Sequence, residues 1–159
     1  MLGHDKMKIT YTDNIAAITP KQLEGFLAHW DFVPPENALL RILRGSSHVL
    51  IAQDSSSQEV MGYITALSDG VSSAYITHLE VRLEHRNKGI GTELVRRMAS
   101  KCETLCGIYL GCAPAMEQFY QRLGFKKMHA MSKRNWQVEP PATCVATAPP
   151  VRPNIGRTL

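Results

Sequence analysis

The chain has 159 residues, of which 44% are hydrophobic and 20% charged, and its formal net charge is +4. These values are those of one ordinary globular domain with a core large enough to fold alone. No apolar run approaches the ~20 residues that span a bilayer. The start, MLGHDKMK, has no hydrophobic signal core. The sequence therefore predicts a cytoplasmic protein without a membrane partner.

Charge and cysteines exclude two further classes of protein. No basic stripe with interleaved aromatic residues is present, so nucleic acid is not an expected partner. Cys102 and Cys106 lie four apart on a predicted helix, but no other Cys or His pair has metal-ligand spacing. Free thiols in a reducing compartment, and no metal, are expected.

The first predicted elements are a strand and two helices. A short strand is expected from Met7 to Tyr11, where apolar and polar residues alternate. Thr19 begins a helix as N-cap, with Pro20 at the first helical position and Gln22 close to a capping box. One face of this helix is apolar: Leu23, Phe26, Leu27 and Trp30. Pro34 and Pro35 end it, and residues 36–44 form a second helix that Gly45 can close.

Three strands follow. His48 to Gln53 contains the apolar run VLIA, and Val60 to Leu67 returns as its hairpin partner after the polar turn DSSSQE. Ser68, Asp69 and Gly70 turn the chain into a third strand, which begins at Ala74. The pattern predicts three sequential antiparallel strands.

A basic turn with two glycines comes after the third strand. It reads Arg86, Asn87, Lys88, Gly89, Ile90, Gly91 and opens a helix. Backbone N–H groups at a helix start are unpaired and lie beside a partial positive charge, so they favour an anion. Glycine has no Cβ to keep a phosphate off the backbone, and it permits positive φ. Arg86 and Lys88 add charge, so the turn is a predicted phosphate site.

Two common phosphate loops do not fit this turn. A dinucleotide loop needs a third glycine where Leu94 stands and an acid about twenty residues further on, where the chain has Gly111. A nucleotide P-loop needs Lys and Ser/Thr directly after its last glycine, but Thr92 and Glu93 follow here.

The helix after the turn and two further elements complete the pattern. The apolar residues of the helix after the turn recur at helical spacing and are expected to pack on the sheet: Ile90, Leu94, Val95, Met98, Cys102 and Leu105. Arg96, Arg97 and Lys101 are expected to face solvent. Residues 108–112 read as a short buried strand. Pro114 opens a last helix that Gly124 ends, and this helix carries most of the motif FYQRLGF.

From His48 to Phe125 this order of motifs resembles the GCN5-related N-acetyltransferase (GNAT) superfamily, whose pyrophosphate loop has arginine, two residues, glycine, one residue, glycine. The resemblance implies a single-domain α/β (α+β) fold, a mixed and mostly antiparallel sheet with flanking helices and splayed fourth and fifth strands. These strands are Ala74 to Arg82 and Ile108 to Cys112. Residues 1–136 would form this domain, and the Pro-rich residues 137–159 an extended or disordered tail.

The resemblance also implies the ligand, acetyl-CoA as co-substrate. Its pyrophosphate would be bound by the loop, and its arm by backbone near Leu79 and Val81. The loop residues implied are Arg86, Asn87, Lys88, Gly89, Ile90, Gly91 and Thr92. Tyr120 of FYQRLGF lies where the family has a tyrosine beside the cofactor sulfur. Relatives often carry Asn or Asp after the fifth strand, where this chain has Ala113 and Pro114.

The implied reaction is direct attack of a primary amine on the thioester. A lysine-like amine has a pKa of about 10.4, so a base or water chain must take its proton. Glu80 is the preferred group and His78 the other, because both fall on one side of a regular strand. A bulge would instead present Tyr75 or Thr77. Backbone N–H groups near Leu79 to Val81 are the expected oxyanion donors.

The acceptor remains open at this stage. The first two helices commonly wall the acceptor site in the superfamily, which makes Phe26, Trp30 and Phe32 candidate pocket residues. Plain core packing is the preferred explanation of these aromatic residues. A small-molecule amine is the preferred acceptor, and a protein lysine or N-terminus is the alternative. A non-enzymatic CoA-binding or partner-binding module is the third reading, and a homodimer is left open.

Overall fold

The computed structural model describes residues 8–28, 32–133 and 145–146. Its strands are β1 (Ile9–Thr12), β2 (Phe32–Val33), β3 (His48–Asp54), β4 (Val60–Ser68), β5 (Ser73–Val81), β6 (Gly107–Leu110) and β7 (Val145–Ala146). Its α-helices are α1 (Glu36–Gly45), α2 (Ile90–Lys101) and α3 (Glu117–Gln121). Short 3₁₀ helices cover Ile15–Ala17, Pro20–Leu23, Leu83–His85 and Pro114–Met116. None of the helices in these described ranges is long and apolar enough to cross a bilayer.

A mixed five-stranded sheet organises the domain, in the order β1-β3-β4-β5-β6. The first four of these strands pair antiparallel with their neighbours. β6 joins β5 in parallel. The separate pair β2 and β7 is antiparallel. The predicted fold class, a single domain with a mixed and mostly antiparallel sheet and flanking helices, is confirmed.

Each face of the sheet has its own apolar core. On one face α2 packs Ile90, Leu94, Val95 and Met98 against β3, β4 and β5. On the other face α1 and the segment around Pro20–Leu23 cover residues of β3 and β4, including Ile51 and Tyr63. Burial of apolar area on both faces, roughly 25 cal/mol per Å², is the main stabilising contribution to such a domain.

β5 contains a bulge that decides which side chains face the α1 side. Thr65 pairs with His78 and Ala66 with Ile76, so Thr77 is the extra residue on β5. Before the bulge Ile76 faces the α2 core, and after it Leu79 and Val81 do. His78 and Glu80 therefore face the opposite side, as regular alternation after the bulge requires.

β5 and β6 separate soon after they begin to pair. Their ladder runs from Ser73 opposite Gly107 to Ile76 opposite Leu110 and stops there. Beyond Ile76, the edge of β5 that faces β6 has no ladder partner among the described residues, so its backbone groups are available to a ligand. This is the expected splay of the fourth and fifth strands of the sheet.

The long first helix predicted from Thr19 was wrong beyond Leu23. The capping box forms, with the Thr19 backbone N–H donating to Gln22 Oε1 at 2.9 Å. Only a 3₁₀ helix over Pro20–Leu23 follows, because Gly25 (φ +80°) and Leu27 (φ +62°) take left-handed conformations that no right-handed helix contains. The spacing of the apolar residues indicated burial and not a helix, since Leu23, Phe26 and Leu27 are all buried.

Two smaller expectations also need correction. α2 ends at Lys101, so Cys102 and Leu105 lie outside it, and Cys106 is not four residues along a helix from Cys102. β6 ends at Leu110, short of the predicted Cys112. Arg96 and Arg97 are exposed as expected.

Several expectations fall outside the described residues. They concern Met7, Trp30, the side chain of Phe32 and the tail of residues 137–159 apart from Val145 and Ala146. The division into a domain of residues 1–136 and a tail therefore stays a prediction.

Candidate functional site

The basic turn connects β5 to α2 through positive-φ backbone. Asn87 has φ +61° and Gly89, the residue before α2, has φ +81°. A Cβ on Gly89 would meet no atom within 4 Å, so the constraint on this position is backbone conformation rather than crowding. The first N–H groups of α2 follow directly and have no partner within the helix. The arrangement fits an anion at the start of α2.

Two cations of the turn are positioned differently. Arg86 is exposed, and its Nε donates to the Val81 backbone oxygen at 3.0 Å, which uses one of its several donors. Lys88 is also exposed, and its Nζ lies 3.4 Å from Nδ1 of His85. Arg86 is therefore anchored to the end of β5, whereas Lys88 contacts the 3₁₀ helix Leu83–His85 that precedes the turn.

A cleft of about 870 Å³ runs from this turn into the gap between β5 and β6. Of the candidate site residues, Lys88, Tyr75 and Phe26 do not line it. Those that do are Thr77, His78, Leu79, Glu80, Val81, Arg86, Asn87, Gly89, Ile90, Gly91, Thr92 and Tyr120. Residues far apart in the chain are thus brought to one cavity. The fold places the basic turn and the start of α2 at one part of this cavity and ionisable side chains at another.

Tyr120 lies on α3 at the α2 side of the gap. Its ring makes edge contacts with Phe119 and Phe125, at centroid distances of 4.9 and 5.7 Å, and it is buried. Burial raises the pKa of its phenol to about 12, with smaller contributions from Cys112 and Glu80. The hydroxyl is therefore protonated at neutral pH and can donate a hydrogen bond.

On the α1 side of the gap lie four polar side chains, Thr65, Thr77, His78 and Glu80, which we call the polar row. Glu80 is 6% exposed although it carries an ionisable carboxyl. Glu80 is therefore not an exposed charge at the end of the strand. Burial lowers the pKa of His78 below its ordinary value of 6.5. An imidazole in this state is neutral at pH 7 and can accept a proton.

Within the polar row, Thr65 is hydrogen-bonded to two neighbours. Its Oγ1 lies 2.7 Å from Oγ1 of Thr77 and 3.1 Å from Nδ1 of His78. Thr65 has no exposed surface, so these contacts form inside the protein. The bulge makes both contacts possible, because the extra residue in β5 brings Thr77 as well as His78 within reach of Thr65.

The wall on the α1 side is held to β5 by Arg82. This guanidinium lies over the ring of Phe26, 4.5 Å from its centroid, and donates to the backbone oxygens of Gln22 at 3.0 Å and Val60 at 2.7 Å. Phe26 also makes an edge contact with Tyr63 at 5.1 Å. The Tyr63 hydroxyl is buried and has no hydrogen-bond partner among the described residues. Burial, then Glu80, raises the pKa of this phenol well above its usual range.

One group of side chains has metal-ligand character among the described residues. The ligand atoms of Glu59, Glu84 and His85 lie within 4.8 Å of one another. Cations already contact this group, since Arg82 Nε is 4.0 Å from Glu59 and Lys88 Nζ is 3.4 Å from His85. We interpret the group as an ion-pair network beside the turn.

Sequence reasoning missed Thr65 and Cys112. Cys112 lines the cleft and is near enough to Tyr120 to influence its pKa. The one available signal for Thr65 was a threonine in a strand that is otherwise apolar from Val60 to Leu67. Its pairing with the bulge could not be derived from a single strand.

Comparison with known proteins identifies the family. A family model described as "Acetyltransferase (GNAT) domain" matches residues 14–139. No curated protein matches the chain. The chain is similar to a crystal structure named as an acetyltransferase from Deinococcus radiodurans R1, with 36% identity, 79% of this chain and 87% of that chain covered, and a TM-score of 0.75.

More distant structures share the fold alone. A GNAT family protein from Streptococcus pneumoniae TIGR4 is 19% identical, with 82% of this chain and 98% of that chain covered and a TM-score of 0.65. Glucosamine-6-phosphate N-acetyltransferase from Arabidopsis thaliana is 12% identical, with 81% and 99% covered and a TM-score of 0.59. With a family model that spans most of its length and a 36% identical relative, this chain belongs to the GNAT acetyltransferase family.

Proposed function

We propose that the protein is an N-acetyltransferase that moves the acetyl group of acetyl-CoA to the primary amine of a small molecule. The observation that carries this proposal is the single cleft that joins an anion-binding helix start to buried proton-handling groups across a gap in the sheet. Family membership supports acetyl transfer in general, and the cleft supports the finer assignment of residues.

The residues of the cleft fit acetyl-CoA. The positive-φ turn at Gly89 and the start of α2 suit a pyrophosphate, with Arg86 beside them. The backbone of β5 beyond Ile76 lacks a strand partner toward β6 among the described residues, and it can bond the amides of the pantetheine arm. Tyr120 would then lie near the sulfur. Acetyl-CoA supplies the activated acetyl group, and no metal has a role in the proposal.

Proton transfers are assigned to the two sides of the gap. The acceptor amine would arrive from the side of the polar row, where Glu80 or His78 takes its proton as the new C–N bond forms. The C–S bond breaks on the other side. Because the pKa of the Tyr120 phenol is about 12, well above that of a thiol near 8.5, Tyr120 would stabilise the leaving thiolate chiefly by a hydrogen bond.

The cysteines in the described residues, Cys102, Cys106 and Cys112, are free thiols, which fits a reducing cytoplasm as the place of action.

Cofactor binding is tested first by calorimetry of acetyl-CoA with the wild type and Gly89→Pro. Proline fixes φ near −65°, so it cannot adopt the +81° of Gly89. The matched control is Gly70→Pro, at φ +74° and with equally open space around its Cβ, but at the opposite end of β5. We expect binding to be lost in Gly89→Pro alone. Absence of acyl-CoA binding by the wild type would overturn the proposal.

The acceptor is tested with a panel of primary amines, lysine peptides and peptides with free N-termini, by release of the CoA thiol and product mass. We expect turnover of small amines and a large loss of kcat in Glu80→Gln or His78→Gln. Preferential turnover of peptides would instead indicate that the acceptor is the amine of a protein. Tight acetyl-CoA binding with no amine acetylated would leave a binding module instead of an enzyme.

A further inference from the structure

Three large apolar side chains lie open to solvent side by side on the sheet, and we call them the apolar patch. They are Leu67 on β4, Tyr75 on β5 and Tyr109 on β6, and they are 49%, 48% and 42% exposed. Leu67 pairs with Tyr75 and Tyr75 with Tyr109, so the patch crosses three strands in one row. The residue before each of them packs with the α2 core: Ala66, Ala74 and Ile108. The patch therefore faces the α1 side, as alternation along a strand requires.

The layer that covers the α1 side ends just before the patch. Tyr63 and Thr65 precede Leu67 on the same side of β4, and neither has any exposed surface. Leu67, two residues further along, is half exposed. The layer of α1 and Pro20–Leu23 thus covers one end of this face and leaves the other end open. Large apolar groups that stay open together in this way typically mark a binding surface.

Two glycines beside the patch determine how its rings lie. A Cβ on Gly107 would be 2.5 Å from the phenol oxygen of Tyr109, so the Tyr109 side chain lies over Gly107. A Cβ on Gly111 would be 3.0 Å from the phenol oxygen of Tyr75. Tyr75 therefore extends toward Gly111, and Gly111 lines the cleft. The patch is thus continuous with the cleft.

The patch also shares its side of the sheet with the ionisable groups of the polar row. Tyr75 faces the α1 side before the bulge of β5, and His78 and Glu80 face it after the bulge. Tyr75 and His78 are three positions apart on β5, which corresponds to about 10 Å of extended chain. A molecule that rests on Tyr75 could therefore reach the polar row through a short alkyl chain.

The size of the patch favours a small molecule over a protein. Three half-exposed side chains of this kind offer roughly 300 Å² together. A stable protein interface takes about 800 Å² from each partner. Neighbouring strands are about 5 Å apart, so a single aryl group reaches across two of them. The area and spacing of the patch thus match one aromatic ring system.

We propose that the apolar patch binds the aryl group of the acceptor, so that the acceptor is an amine that carries an aromatic ring on a short alkyl chain. The ring would pack against Tyr75 and Tyr109, with Leu67 adding apolar area. The chain would then carry the amine along β5 to the polar row. This inference rests on the proposed function and names the chemical class of its acceptor.

The test compares two acceptors, phenylbutylamine and butylamine, which have the same amine and alkyl chain with and without the ring. The quantity measured is the ratio of their kcat/KM values with acetyl-CoA. We expect a ratio of about 10 in the wild type, since the contacts of one ring contribute roughly that factor. Tyr75→Ser should bring the ratio close to that of two equal substrates, and Tyr75→Phe should preserve the wild-type ratio.

Two further variants make the test independent of the folding of Tyr75→Ser. Leu67→Ser removes apolar area from the patch without changing either tyrosine, and it should also lower the ratio. Ile42→Ser is the matched control, because Ile42 is a 36% exposed apolar residue of α1 outside the patch. Ile42→Ser should leave both kcat/KM values at those of the wild type.

The possible outcomes separate this inference from the proposed function. Equal ratios in the wild type, Tyr75→Ser and Leu67→Ser would overturn the assignment of the patch, although the protein would still be an N-acetyltransferase. A wild-type dimer that Tyr75→Ser converts to a monomer in sedimentation would also overturn it, because a second copy would then cover the patch. Binding of acetyl-CoA without acetylation of any amine would overturn the proposed function and this inference with it.

Discussion

The basic turn lines the same cleft as Thr77, His78 and Glu80 of the polar row, but the turn and the row are built in opposite ways. The turn is local and exposed: a few consecutive residues give it positive-φ backbone, a helix start and two cations. The polar row is non-local, because Thr65 meets Thr77 and His78 only through the pairing of β4 with a bulged β5. Thr65 and Glu80 are buried, and Thr77 and His78 are partly buried. The turn can therefore be altered with little effect on the core, whereas changes in the row affect the sheet interior.

Because of this difference, we expect the turn and the polar row to have separate roles, and kinetics can test this. Changes in the turn should alter acetyl-CoA affinity and leave the chemical step intact. Changes in the polar row should alter the chemical step and leave the affinity intact. If changes in the turn altered the chemical step, or changes in the polar row altered acetyl-CoA affinity, the two regions would not have separate roles.

The largest effect is expected from His78→Gln. Loss of a positioned base typically costs about 10²- to 10⁴-fold in kcat. Because burial lowers the pKa of His78, its base form is complete at neutral pH and is lost only as the pH falls below 6.5. The wild-type pH profile of kcat should therefore have an acid limb below that value, and the variant should lack it.

His48→Gln provides the control, since His48 begins β3 and does not line the cleft. A His78→Gln enzyme within twofold of wild type, with the same acid limb, would remove His78 from the mechanism and return the base role to Glu80. Acetyl-CoA affinity by calorimetry should be equal in all three proteins.

Arg86→Ala should have the next largest effect, and on affinity alone. A charge-assisted hydrogen bond to phosphate contributes about 1.5–3 kcal/mol, so acetyl-CoA binding should weaken roughly 10- to 100-fold. Arg96→Ala removes the same charge from the exposed face of α2, where Arg96 Nη1 lies 3.8 Å from Glu93. Equal losses in the two variants, measured by calorimetry, would mean that general surface charge rather than the turn attracts the cofactor.

Tyr120→Phe should have a smaller effect, on kcat. The ring contacts with Phe119 and Phe125 are kept, and only the hydrogen bond to the leaving sulfur is removed. One such bond is worth about 1 kcal/mol, which corresponds to a fall of roughly 5-fold in kcat. The change should be larger for acetyl-CoA than for an acyl donor with a more acidic leaving thiol. An identical effect on both donors would indicate a packing role.

The same contrast explains how much the sequence could predict. The turn was identified because every feature that makes it, from Arg86 to Gly91, lies in consecutive residues. His78 and Glu80 were placed on one side of β5 from simple alternation. The bulge at Thr77 leaves that relation intact because it precedes both residues.

Features that depend on distant pairing were not predicted. Thr65 became part of the site only through the register of β4 and β5. The helix expected after Thr19 stops at Leu23 because Gly25 and Leu27 adopt positive φ, which lets Phe26 reach both Tyr63 and Arg82. Apolar spacing indicated that these residues are buried, but tertiary contacts determined the backbone that buries them.

The smallest effect distinguishes two fully buried hydroxyls of β4, those of Thr65 and Tyr63. Thr65 is hydrogen-bonded, whereas Tyr63 has no partner for its hydroxyl among the described residues. Removing a bonded hydroxyl destabilises a protein, but removing an unsatisfied buried one relieves a desolvation cost of about 1 kcal/mol. Urea unfolding should therefore show Tyr63→Phe to be more stable than wild type and Thr65→Val less stable. A loss of stability in Tyr63→Phe would mean that its hydroxyl is bonded in solution, and the polar row would then extend to Tyr63.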